Sequence, residues 1–201
     1  MKNSLFITEE NIDNSIIKKE EEYMGYIKNH ISNVIKVFEN MVENIHIFRE
    51  RGGYDDIIDA ISEAENEGFI YRHDDSKYSD EEFGPYRRYW HPVSEQEKEE
   101  AEEEFQLAWK HHYTVNAHHP EYWIKNNIPQ PMEPKYVVEL ICDWIAMSMV
   151  KGGSVLEYWE NNRDKKQKVM HKDTMELIDK ILNIYDPRLL EAIANSNKEE
   201  E

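Results

Sequence analysis

The sequence predicts an all-α fold, a helical bundle, and three observations carry that prediction. Apolar residues recur at three- and four-residue spacings over long stretches, as one buried helical stripe requires. The 201 residues include only 7 Gly and 7 Pro, too few for the turns of a sheet protein. Strand signals are confined to three residues, Phe69-Ile70-Tyr71.

Residues 15–48 read as one long helix. Ile27, Ile31, Val34, Ile35, Phe38, Met41, Val42 and Ile45 form its stripe, and Gly25 is the weak point in its continuity. Arg51-Gly52-Gly53 is a turn. Asp55 or Asp56 then opens a second helix carrying Ile57, Ile58, Ile61 and Ala64, closed by Gly68. Ser79 is placed to cap the short acidic turn Asp80-Glu81-Glu82. Gly84-Pro85 and His91-Pro92 are expected to break the chain around Tyr86, Tyr89 and Trp90. Ser94 with Glu97 reads as a capping box for a helix that begins almost wholly charged, buries Phe105, Ala108 and Trp109, and delivers His112. Pro120 stops or bends it. Pro129, Pro131 and Pro134 mark a rigid loop before an apolar helix, Lys135 to about Met149, ended by Gly152-Gly153. A final helical pair includes Met175, Leu177, Ile178, Ile181 and Leu182.

A formal net charge of -18 repels nucleic-acid backbones, which weighs against duplex binding. A phosphate-bearing small molecule remains compatible if metal cations reverse the local potential. Cys142 is the only cysteine, so a disulfide-stapled secreted fold is not expected. The first residues lack the apolar run of a signal peptide, and the apolar stretch 137–150 is too short to span a bilayer. The cytoplasm is the expected location (a host's cytoplasm, if the chain is phage-encoded), with no membrane partner. The many aromatic residues permit a homodimer.

The chemistry-bearing residues are histidines and aspartates. His73-Asp74 are adjacent, so both side chains can reach one ion only where the backbone is irregular, at a helix end or distorted turn. Imidazole nitrogen with carboxylate oxygen suits zinc, manganese, iron and similar ions. His30 falls on or beside the apolar stripe of the first helix, where the plainer reading is a satisfied core histidine. Asp143 interrupts the most apolar helix. Burying it unpaired would cost several kcal/mol, which leaves exposure on a polar stripe with Glu139, a buried ion pair, or a metal. His111, His112, His118 and His119 fall within nine positions. On a straight helix His112 and His119 would stand about 10.5 Å apart, too far for one ion. Two metals, or a helix ended early enough to swing His118 or His119 inward, both answer that spacing. Arg72, Lys77, Arg87 and Arg88 can meet phosphate, while Lys77 can equally balance neighbouring aspartates. Asn116 shares a helix face with His112. Trp123 and the aromatic residues 86–90 can stack on a base or fill the core.

These residues, in this order, resemble the His-Asp (HD) phosphohydrolase superfamily. There an early helix gives His, a following segment gives His-Asp, and a later helix gives Asp; here they match His30, His73, Asp74 and Asp143. The stretch Arg-His-Asp-Asp-Ser-Lys is similar to the His-Asp-x-Gly-Lys element of cyclic-dinucleotide phosphodiesterases, with Ser76 in place of Gly and Lys77 matching Lys. Their Gly-Tyr-Pro signature is absent, which argues against that substrate class. Two-metal members add two histidines, matched by His112 and by His118 or His119. More closely, residues 73–148 resemble an uncharacterised family of bacteria and bacteriophages, through His-Asp-Asp-Ser-Lys-Tyr, Glu-Phe-Gly-Pro-Tyr, His-His-Tyr-Thr-Val-Asn-Ala-His-His-Pro-Glu-Tyr-Trp and Cys-Asp-Trp-Ile-Ala-Met-Ser.

The resemblance implies a single HD-like helical domain over 1–201, with a metal-site core at 25–150, a helical extension at 151–194 and a frayed tail at 195–201. It also implies one or two divalent ions (Mn, Fe, Co, Zn or Mg) and hydrolysis of a nucleotide or related small phosphate ester. Lys77 with His112 or His119 would stabilise phosphate charge, and Glu121 or Asp75 would act as general base. The alternatives are a two-iron oxygenase of the same fold and a non-catalytic, metal-stabilised phage interaction protein.

Overall fold

The fold is described from a computed structural model, over residues 9–184, with side chains from residue 14. The expected tail at 195–201, and residues 185–194 of the extension, lie outside the described residues. The described chain is helical, with one two-stranded ribbon. It forms two compact units: one from the chain up to residue 29 together with 75–112, the other from 30–74 together with the chain from 113 onward. Among the described residues no helix is long and apolar enough to cross a membrane.

Helix α1, Glu9–Glu43, passes through Gly25 without interruption, and its residues from 30 onward belong to the second unit. Tyr23, Ile27, His30, Val34, Val37, Phe38 and Met41 are buried along one face, so His30 sits in register with the apolar stripe. The expected single helix over 15–48 is instead two. At Asn44 the backbone leaves helical geometry, its side-chain amide donates to the Asn40 carbonyl at 2.8 Å, and Ile47 N–H bonds back only three residues, to the Asn44 carbonyl. Helix α2, Ile45–Arg51, follows.

In the second unit, α3 (Asp55–Glu67) ends at Gly68, whose φ of 65° is the left-handed conformation expected of a glycine C-cap. Helix α6 (Pro134–Lys151) buries Val137, Val138, Leu140, Ile141, Cys142 and Ile145 in a core shared with Val34, Phe38 and Met41 of α1 and Ile57, Ile61 and Ala64 of α3. Lys135 at the head of α6 donates to Glu63 and Glu67 of α3, each at 2.8 Å, pinning the two helices in register. Helices α7 (Val155–Lys166) and α8 (Lys172–Leu182) close this core with Trp159, Met175, Ile178 and Ile181. They are joined by Asp179, which accepts from Trp159 Nε1 at 2.6 Å and from Arg163 at 2.7 Å.

In the first unit, α4 is Phe83–Trp90 and α5 begins at Glu95. Gly84-Pro85 does not break the chain: both residues lie in the first turn of α4, where the missing proline N–H has no intrahelical partner to lose. His91 does end that helix. The Ser94 hydroxyl accepts the Glu97 N–H at 3.1 Å, as the capping signature predicts, but the Glu97 carboxylate reaches Val93 N–H and Arg87. Tyr86 and Tyr89 pack on Phe105, and Tyr23 packs on Phe83 and His91.

Helix α5 stops at Val115, five residues ahead of Pro120. The chain from 116 to 119 is irregular and leads into a 3-10 turn over Pro120–Trp123. Leading into the expected rigid proline loop is a small hairpin that the sequence reading did not anticipate: Ile124–Lys125 pairs with Ile128–Pro129. Asn126 and Asn127 both adopt positive φ, 51° and 61°, the backbone that a two-residue turn between twisted strands requires. Phe69-Ile70-Tyr71, the one strand expected from sequence, lies instead in a 3-10 turn, Phe69–Arg72.

Candidate metal centre

Three elements of the second unit bring His30, His73, Asp74 and Asp143 together. His30 comes from the buried face of α1 and Asp143 from the middle of α6. His73 and Asp74 lie between two 3-10 turns, Phe69–Arg72 and Asp75–Tyr78. Asp74 has φ of 57°, a left-handed conformation uncommon outside glycine, for which Asp and Asn are the tolerant side chains. This kink lets two consecutive side chains face the same point. His30, His73 and Asp74 are each at most 3% exposed.

His30 Nε2 stands 3.1 Å from Asp143 Oδ1, 3.3 Å from His73 Nε2 and 3.5 Å from Asp74 Oδ2. His73 Nε2 is 3.4 Å from Asp74 Oδ2 and 3.9 Å from Asp143 Oδ1. Metal–ligand bonds of about 2.0–2.2 Å at tetrahedral or octahedral angles put neighbouring donor atoms about 2.8–3.6 Å apart. The observed separations cluster around those edges and are mostly longer than good N–H···O hydrogen bonds. Two imidazole Nε2 atoms directed at each other beside two carboxylates form the surroundings of a small cation. The donor set therefore fits a divalent metal.

A second set adjoins the first within the same unit. Asp74 turns Oδ2 toward His30 and His73, while its Oδ1 lies 3.5 Å from His118 Nε2. Asp74, His118 and His119 each offer a ligand atom within 4.8 Å of one another. His118 reaches this position because α5 has already ended. It is 2% exposed, and its ring lies against His73 at a centroid distance of 4.5 Å. Trp123 donates its indole N–H to the Ala117 carbonyl at 2.7 Å and packs on Tyr136, fixing the loop that carries His118.

Glu139, one helical turn before Asp143, is the residue that the sequence reading left outside the site. Its Oε1 lies 2.9 Å from His73 Nδ1 and 3.4 Å from His118 Nδ1. Its i, i+4 spacing to Asp143 on a helix otherwise apolar was the available signal.

Electrostatics match this crowding. Burial pushes the Asp143 carboxyl up, but the His30 hydrogen bond and the charges of His73, His30 and His118 outweigh it and hold the group below the usual carboxylate range. Glu139 is likewise lifted by burial and brought below its ordinary value by hydrogen bonds from His118 and His73. Burial lowers His118, but the Glu139 hydrogen bond and the charges of Glu139, Asp74 and Asp143 carry it above the usual imidazole value. Asp143 and Glu139 are thus both held toward the ionised form by the imidazoles beside them.

The other residues singled out from sequence have different surroundings. Arg72 is exposed, and Asn116 and Glu121 are half-buried in the second unit. Asp75 is exposed and Lys77 half-buried, both on a 3-10 turn of the first unit. His112 is buried in that unit, where Glu82 receives His112 Nδ1 and His111 Nδ1, each at 2.8 Å. Burial raises the Glu82 carboxyl, yet hydrogen bonds from His112, His111 and Ser76 bring it below the ordinary range. Arg87 is buried and ion-paired with Glu97 at 2.8 Å, and Arg88 is paired with Glu104, so both guanidiniums have partners within their own unit.

These features define a helical protein with buried His/Asp groups that could hold a metal ion. The chain belongs to a family of unknown function, DUF5662, whose sequence profile matches residues 19–184. No curated protein and no solved structure matches the chain significantly.

Proposed function

We propose that this protein is a divalent-metal-dependent phosphohydrolase acting on a nucleotide or related small phosphate ester, of the HD type. The observation that carries the proposal is the set of donor separations, 3.1–3.9 Å, among His30, His73, Asp74 and Asp143. Those four residues would hold one divalent ion. Asp74 Oδ1, His118 and His119 would hold another. A divalent ion bound there lowers the pKa of a coordinated water toward neutrality and polarises a phosphoryl oxygen.

The chain's own side chains supply the rest. Arg72, next to His73 and exposed, can meet a phosphate oxygen. Glu121, half-buried on the 3-10 turn after His119, is a carboxylate that could accept a proton during hydrolysis. Burial of the histidines keeps bulk water from screening the charges, so each electrostatic contact there counts for more. All of these residues lie in the second unit.

Hydrolysis of a panel of nucleoside mono- and triphosphates, with manganese, cobalt or zinc added, tests the reading. Wild-type protein is expected to release phosphate or pyrophosphate, and Asp74→Ala to lose at least two orders of magnitude in rate. Equal hydrolysis by both would overturn it. Two adjoining donor sets sharing one carboxylate also suit a pair of irons. Iron in the isolated protein, with oxygen uptake on an organic substrate and no phosphate release, would favour an oxygenase instead.

A further inference from the structure

We infer that Glu139 is the positioning residue that couples the two donor sets, by fixing which nitrogen of His73 and of His118 is offered to a cation. This rests on the metal reading above and deepens it. Glu139 is 5% exposed on α6, and one of its oxygens, Oε1, faces both Nδ1 atoms, at 2.9 and 3.4 Å. A carboxylate only accepts, so the 2.9 Å contact makes His73 Nδ1 the protonated nitrogen, and the longer 3.4 Å contact favours the same form at His118. A neutral imidazole has a single N–H, and the proton on Nδ1 leaves Nε2 with its lone pair. Those are the atoms that face the donor sets: His73 Nε2 toward His30, Asp74 and Asp143, and His118 Nε2 toward Asp74.

The competing tautomer has a clear attraction. With the proton on Nε2, either ring could donate to an Asp74 oxygen, closing the site with hydrogen bonds and aiming a proton where a cation should sit. Glu139 opposes that outcome for both rings at once. Because one oxygen serves His73 of the first set and His118 of the second, one substitution acts on both. A carboxylate behind a metal-binding imidazole typically alters metal affinity by about 10–100-fold. Here one carboxylate stands behind a ring of each set, so its loss should weaken both sites.

Two measurements test the assignment. Long-range proton–nitrogen correlation spectra of the metal-free full chain, recorded where the imidazoles are neutral, report each tautomer. Wild-type protein is expected to show the Nδ1–H form at His73 and His118. Glu139→Gln, whose amide oxygen can still accept, should keep it, and Glu139→Ala should shift both rings toward Nε2–H. Titration with manganese or zinc should then show roughly 10–100-fold weaker binding at both sites in Glu139→Ala, with Glu139→Gln recovering most of the loss. Nε2–H tautomers in the wild type would overturn the inference, as would wild-type tautomers and affinities in Glu139→Ala. Wild-type protein with Nδ1–H tautomers that takes up no metal would uphold the positioning role and defeat the metal reading.

Discussion

Asp74→Asn separates the metal account from a purely structural one. The substitution keeps the size of the side chain and, at φ of 57°, a residue type that tolerates left-handed backbone. It removes the charge that both donor sets share. Without metal the cost should be small. Asp74 stands 3.4–3.5 Å from its histidine nitrogens, beyond the best hydrogen-bond range, whereas His30 retains Asp143 at 3.1 Å and His73 retains Glu139 at 2.9 Å. A destabilisation below about 1 kcal/mol is therefore expected in chelator. With metal the difference should be large. An ion at about a hundred times its Kd stabilises the wild-type fold by about 2.7 kcal/mol per site. For a chain of this length each kcal/mol moves Tm by about 2–4 °C, so one occupied site raises Tm by about 5–11 °C. Thermal unfolding followed by circular dichroism, in chelator and in manganese or zinc, reads both numbers. The account expects the metal-dependent rise to vanish in Asp74→Asn while the chelator values nearly coincide. An undiminished rise in the variant would refute the reasoning.

Other consequences follow from the second unit's packing. Phe38→Ala empties a fully buried position between α1 and its neighbours and should cost about 3–5 kcal/mol in urea unfolding. Gly68→Ala forces a Cβ onto a φ of 65° with only ordinary contacts nearby, so a loss of about 1 kcal/mol is expected from the backbone alone, and Gly68→Asn should lose less. Burial raises the Asp179 carboxyl, but hydrogen bonds from Arg163 and Trp159 bring it below its ordinary value. Its contribution is thus present above the unfolded carboxyl pKa, near about 4, and is lost as pH falls through the folded value. Urea unfolding of wild type and Asp179→Asn should converge as the solution is acidified; a gap that widens toward acid would contradict the sign.

Much of this fold is legible in the residues because periodicity and punctuation agree. The α1 stripe places His30 in the core, Gly68 and Gly152 end α3 and α6, and Ser94 opens α5. The His73-Asp74 pair required irregular backbone, and the positive φ of Asp74 supplies it. What escaped the sequence depends on competition between local and tertiary forces. Proline at 120 sets the latest point at which α5 could stop, but the helix ends at Val115, and the loop after it buries His118 against His73 and Glu139. Gly84-Pro85 has the composition of a break, yet proline is equally at home in a first turn. Glu139 was visible as a polar interruption of α6. Its role depends on imidazole nitrogens contributed from residues 73 and 118, which no local pattern connects.

Elemental analysis of protein purified without added metal, before and after exhaustive chelation, addresses the central claim most directly. The account predicts a stoichiometric divalent transition metal in wild type, restored on adding manganese, cobalt or zinc after chelation, and missing from Asp143→Ala. A metal-free wild type that also fails to take up any of these ions would contradict it.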